Sequence, residues 1–222
     1  MSPSETAAAT LPTSRYTPAE ERANSATHAL GACLALGALA WMLAVATGSG
    51  DPRQIGTVTV FGASLFALYL ASSLYHGPFS VSAKQKLRIA DHIGIYLLIA
   101  GTYTPITLVG LEASPWGLGL FAAIWSFAAL GIALEVFWVD RPRWISVAVY
   151  VAMGWLAILA VGPLFDHLPT GALWLIFGGG AVYTGGTLFY LIKVPYAHAI
   201  WHLFVIGGSA CHVAAVALYV VG

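Results

Sequence analysis

The chain has 222 residues, 59% of them hydrophobic and only 8% charged, and its nine basic and nine acidic side chains balance to a formal net charge of zero. A soluble globule of this length would lack the polar surface it needs, so water is not the main solvent. The balance leaves no basic surface for nucleic acid. The two cysteines, Cys33 and Cys211, both lie in apolar stretches and give no disulfide framework.

Residues 1–20 are rich in Ala, Ser, Thr and Pro and read as a disordered cytoplasmic tail with no cleavable signal peptide. The rest of the chain, 21–222, reads as one transmembrane domain. A helical crossing needs about 20 mostly apolar residues, and seven stretches qualify: 27–47, 56–76, 89–111, 116–138, 144–165, 172–191 and 198–221. They are too long and too evenly apolar for the alternating strands of a barrel. The expected fold is therefore all-α, a polytopic bundle of seven transmembrane helices. Trp116, Trp138, Trp144 and Trp174 fall near predicted helix ends, where an indole keeps its ring in the headgroup region.

Seven crossings sort the basic residues onto two sides. Arg15, Arg22, Lys84, Lys86, Arg88, Arg141, Arg143 and Lys193 share one side, and Arg53 is alone on the other. The positive-inside rule then places the N-terminus in the cytoplasm and the C-terminus outside, in a multi-pass protein of the cell inner (plasma) membrane.

Ionisable residues inside a span are costly, so each is a functional candidate. With this topology His28, His76, His92, His198 and His202 gather at the cytoplasmic end, while His167 lies in an outer loop and His212 deeper in the bilayer. His198 and His202 are spaced i, i+4 and share a helix face. With His76 at the same depth they make three imidazole ligands, the number typical of a catalytic zinc site that keeps a position open for water. Asp91 can serve as the base for that water, with an N-cap of the third span or an ion pair to Arg88 as the structural alternatives. Ser72, one turn before His76, can orient the imidazole or the water, or back-bond to a helix carbonyl. Glu21, Asn24, Thr27 and His28 form a polar helix face, for which helix capping by Glu21 is the preferred account. Tyr103, Thr104 and Pro105 mark a local distortion of the third helix, and Glu135, one turn from a helix end, is expected to snorkel to the interface.

The segments EERANSATHALG (20–31), SSLYH (72–76), LRIADHIGIYLLIAGTYTP (87–105) and HAIWHLFVIGGSACH (198–212), in this order, resemble the hemolysin III family of bacterial membrane proteins, relatives of the progestin and adiponectin receptor group. The resemblance implies a seven-helix fold with an intracellular N-terminus. It also implies a zinc ion (Zn2+) held by His76, His198 and His202, with Asp91 contacting the zinc-bound water and Ser72 matching the motif serine. The expected function is a zinc-dependent membrane hydrolase acting on a lipid amide or ester through zinc-activated water, ceramidase-like, with membrane lipids as its partners. Two alternatives carry a structural zinc instead: a channel or pore-forming protein, and a lipid-sensing membrane regulator. Against a channel, no span carries a polar stripe through its whole length.

Overall fold

A computed structural model describes residues 16–139 and 141–222. Among these residues every regular element is a helix: α1 (Pro18–Ser49), α2 (Pro52–Tyr75), α3 (Val81–Pro105), α4 (Pro115–Phe137), α5 (Arg143–Gly154), α6 (Val161–His167), α7 (Thr170–Leu191) and α8 (Ala197–Ala215). Short π-helical turns extend α3 (Ile106–Gly110) and α8 (Val216–Val220), and a 3₁₀ turn (Leu156–Ala160) joins α5 to α6. Seven helical segments are long and apolar enough to cross a bilayer, α5 and α6 together forming the fifth. The protein is therefore a multi-pass membrane protein of the expected all-α class. Trp116, Trp138, Trp144 and Trp174 are all exposed near helix ends.

The first helix starts well before its apolar stretch. Thr17 accepts a hydrogen bond from the Glu20 amide at 3.2 Å, and the Glu20 carboxylate accepts from the Thr17 amide at 2.9 Å, a capping box with Pro18 at the first helical position. Hydropathy locates the membrane, whereas this cap locates the helix. Most of the tail expected to be disordered lies outside the described residues, but from Pro18 onward the chain is helical. A helix of 32 residues is about 48 Å long, so its polar first turns extend past a hydrocarbon core of about 30 Å.

Pro105 does not break α3. The hydrogen bonding widens to a π turn just after it, while Thr104 and Thr107 bond back to the carbonyls of Ala100 and Tyr103 at 2.9 and 2.8 Å. The fifth crossing, expected as one helix, is interrupted after Gly154. There the Tyr103 hydroxyl donates to the Gly154 carbonyl at 2.8 Å and accepts from the Ala157 amide at 2.9 Å. A side chain inserted into the ladder replaces the helical bonds it displaces.

Helices α1, α2 and α3 pack along their lengths, as do α7 and α8, whereas α5 meets its neighbours sparsely. Without water to drive association, small residues set the close approaches. At Gly94 of α3 an added Cβ would lie 3.0 Å from the Leu68 Cα of α2. At Gly117 of α4 it would meet the carbonyl oxygens of Thr107 and Leu111 at 2.5 and 2.6 Å, and these rigid backbone atoms cannot rotate away.

Gly117→Ala is therefore expected to lower the thermal unfolding midpoint in detergent by about 3 to 10 °C, the equivalent of an overpacking cost of about 1–3 kcal/mol. Gly119→Ala, two residues along the same helix with nothing within 4 Å, is the control and should leave the midpoint unchanged or slightly raised. Equal midpoints for the two variants would show that α4 does not pack closely on the π turn.

Candidate metal centre

Three helices bring the histidines together. His76 caps the C-terminus of α2, its amide bonded to the Ser72 carbonyl at 3.1 Å. His198 and His202 stand one turn apart at the start of α8. The chain enters α8 through Tyr196, which has a φ of 59°, a left-handed conformation that costs a non-glycine residue about 1 kcal/mol or more. Its amide is held by the Glu20 carboxylate at 3.0 Å, so the capping residue of α1 also fixes the entry to α8.

The candidate ligand nitrogens of His76, His198 and His202 all lie within 4.8 Å of one another. His76 Nε2 and His198 Nε2 are 3.2 Å apart, close to the edge of about 3.3 Å that two nitrogens span around a tetrahedral zinc. Hydrogen bonds from α1 set the tautomers. His76 Nδ1 is 2.6 Å from Glu21 Oε2, so the proton sits on Nδ1 and the Nε2 lone pair points inward. His202 Nδ1 donates to the Asn24 carbonyl at 3.1 Å, with Thr27 Oγ1 at 2.9 Å, which leaves its Nε2 to face the centre. Nitrogens this close either share a proton, one ring donating to the other, or hold a cation between them. The donor set fits a divalent metal, with imidazole nitrogens suited to zinc.

Glu21 does more than the sequence suggests. Glu20 completes the capping box, and Glu21 instead joins His76 to Lys84 of α3, whose Nζ is 3.0 Å from Glu21 Oε1. Glu21 does stand in the acidic first turn of α1, and the polar face of α1 is in addition a support for the imidazoles. His28 stacks on His202 with ring centroids 3.5 Å apart and an interplanar angle of 16°. Both of its nitrogens, and both side-chain polar atoms of Asn24, are buried without a hydrogen bond among the described residues.

Asp91 is buried and lies ten residues inside α3, whose N-cap is Ser80. The N-cap alternative for Asp91 therefore falls. The Ser72 hydroxyl lies beside the Asp91 carboxyl but in no hydrogen bond of ordinary geometry, so it does not back-bond to its own helix. Both residues line a cavity of about 340 Å³ that also touches His198 and His202. Along α3 this cavity runs from Asp91 to Ile106, fifteen residues or about 22 Å of helix, with Leu98, Ile99 and Ile176 in its deeper walls. Its volume is within the range of about 300–1,000 Å³ usual for small-molecule sites.

The structure also assembles a cluster that sequence reasoning misses. Glu135 does not snorkel: it is buried, paired with the buried Arg141, and reached by His92 Nδ1 at 3.1 Å and the Tyr150 hydroxyl at 3.2 Å. Arg141 also donates to the carbonyls of Leu134 and Trp138 at 2.9 and 3.0 Å. An acidic and a basic residue flanking one helix end is the only sequence signal, and it does not distinguish a buried pair from two solvated charges. His167 stays apart at the end of α6, and His212 bonds to the Ile176 carbonyl at 3.1 Å, away from the three-histidine group.

Comparison with known proteins places the chain among similar membrane proteins. The family model described as "Haemolysin-III related" matches residues 16–213. The chain is 43% identical over 207 residues to the "Hemolysin-3 homolog" of Bacillus subtilis (strain 168), covering 93% of this chain and 97% of the relative. It is 43% identical over 202 residues to "Hemolysin-3" of Bacillus cereus, covering 90% and 92%. At 30% identity over 217 residues it resembles the human "Monocyte to macrophage differentiation factor", covering 92% and 87%.

If Glu21 orients His76, then Glu21→Gln should preserve the fold and lower the affinity for a divalent metal by about 10- to 100-fold, the usual effect of removing such a partner. Competition with a chromogenic chelator measures it, and an unchanged dissociation constant would remove Glu21 from the centre.

Proposed function

The chain belongs to the haemolysin-III related family of membrane proteins, kin to the progestin and adiponectin receptor group, and from that premise we propose that it is a zinc-dependent hydrolase of a membrane lipid amide or ester. The observation that carries this reading is the position of Asp91 and Ser72, in the wall of a largely apolar cavity whose polar end reaches His198 and His202. A closed structural zinc site usually takes four protein ligands. Three histidines with a carboxylate nearby favour a position left for water.

His76, His198 and His202 would hold the metal, with Glu21 and Asn24 keeping the protons of His76 and His202 on Nδ1. When bound, zinc supplies a Lewis acid for the substrate carbonyl and brings the pKa of a coordinated water towards about 7. The remaining roles fall to the chain itself. The apolar wall of α3 holds the acyl chain and keeps bulk water from the carbonyl. The Asp91 carboxylate accepts the proton released by the attacking water and passes it to the leaving nitrogen or oxygen as the acyl bond breaks. The Ser72 hydroxyl, beside Asp91 in the cavity wall, would orient that carboxylate once the two close to hydrogen-bond distance.

The proposed orientation puts the N-terminus and the histidine end of the bundle in the cytoplasm, in the inner (plasma) membrane, on the support of the eight-to-one distribution of Lys and Arg. A reporter fused after Gly222 should then read as external, and a cytoplasmic signal would reverse the orientation.

The catalytic reading predicts that the purified protein carries about one zinc per chain and releases product from a lipid-amide panel in nanodiscs. Asp91→Asn should keep its zinc and thermal midpoint yet lose turnover by about 100-fold, the scale of general-base catalysis, and His202→Ala should lose zinc. Equal background rates in parent, Asp91→Asn and His202→Ala, with zinc present in the parent, would contradict a hydrolase for that panel. That outcome would favour a structural zinc that joins α2 to α8 in a channel or a lipid-sensing regulator.

A further inference from the structure

The two ends of the cavity differ in charge. Its deep end is walled by Ile106, Leu120, Leu164 and Ile176, whereas Arg88, Arg141 and Arg143 join Asp91 and Glu135 around the other end. The carboxylate of Glu135 is already taken by Arg141, His92 and Tyr150. Arg143 differs from Arg141. Its guanidinium carbon lies 5.7 Å from the centroid of the Tyr190 ring, and it forms no ion pair among the described residues. The Tyr190 ring centroid is in turn 5.7 Å from that of His198. Two steps of 5.7 Å thus connect a cation to the metal centre.

A guanidinium held over an aromatic ring by a cation–π contact keeps N–H groups available to bind a carboxylate in a bidentate pair. The neighbouring Arg141 keeps a buried Nε–H without a partner at the same end of the cavity. We propose that Arg143 reads an anionic headgroup, so that the preferred lipid amide bears a carboxylate close to the amide, as an N-acyl amino acid does. The acyl chain then lies along α3, the amide faces the histidines, and the carboxylate meets Arg143 at the exposed rim. A carboxylate two bonds beyond the amide nitrogen also sits well with a centre that, on the hydrolase reading, would hold a divalent cation. The inference takes the lipid amide and its pose from the hydrolase reading, and adds the charge of the headgroup.

The test is binding by full-length protein in neutral-lipid nanodiscs, in the Asp91→Asn background so that turnover does not consume the probe. N-oleoylglycine should bind about 10-fold or more tightly than the neutral oleoylethanolamide at low salt, as expected for a charge-assisted pair, and the preference should shrink as salt is raised. N-acetylglycine, which has the anion without the chain, should bind far more weakly than N-oleoylglycine. Arg143→Gln should abolish the preference and leave the affinity for oleoylethanolamide unchanged. If glutamine also weakens the neutral lipid, Arg143→Lys decides, a reduced preference supporting the pair and an undiminished one overturning it. Equal affinities for the two lipids in the parent background, a preference indifferent to Arg143, or N-acetylglycine matching N-oleoylglycine would each overturn the proposal. A failed hydrolase reading looks different: the parent releases product from neither lipid while the binding preference persists.

Discussion

The bundle is organised around the convergence of three imidazoles from α2 and α8, two of them oriented by α1. A buried polar group left without its hydrogen bond costs about 1–3 kcal/mol. Glu21 and the Asn24 carbonyl supply that bond on the Nδ1 side of His76 and His202. The Nε2 side is left able to hold a cation. Much of the local architecture serves this arrangement: the polar extension of α1 beyond its apolar stretch, the left-handed Tyr196 tied to Glu20, and the Lys84 contact that draws the start of α3 towards the same point.

Away from the centre, other polar groups join helices that apolar packing alone would leave free to slide. Tyr69 of α2 and Tyr183 of α7 both meet the Ser209 hydroxyl of α8 at 2.7 Å. Tyr103 of α3 holds the broken turn between α5 and α6. The buried Glu135–Arg141 pair ties the end of α4 to the chain just before α5, and His92 connects it to α3. Removing one member of such a pair costs about 3–5 kcal/mol because the other is left as an uncompensated buried charge. These links surround the cavity. They join helices where α5 packs sparsely, and a cavity of about 340 Å³ remains inside the bundle.

Much of this could be read from the residues alone. The seven crossings follow from the length of their apolar stretches, and the three histidines from i, i+4 spacing combined with the depth that topology assigns to His76. The start of α1 was less visible, because a capping box and not hydropathy sets it. Adjacent Glu20 and Glu21 cannot be told apart by charge or periodicity, and only the fold shows that one caps the helix while the other reaches His76. The break in the fifth crossing was not legible, because the hydroxyl that occupies it comes from Tyr103, 51 residues away. The pairing of Glu135 with Arg141 and the cavity itself depend on how helices sit against one another, and no local pattern encodes that.

A zinc centre built from His76, His198 and His202 would have no sulfur ligand. X-ray absorption at the zinc K-edge of the purified protein tests it most directly. Three imidazole ligands should give a first shell of light nitrogen and oxygen scatterers at about 2.0–2.1 Å with the outer-shell pattern of imidazole, both lost together in His76→Ala/His202→Ala. A protein that takes up no zinc, or a spectrum with a sulfur shell at about 2.3 Å, would contradict it.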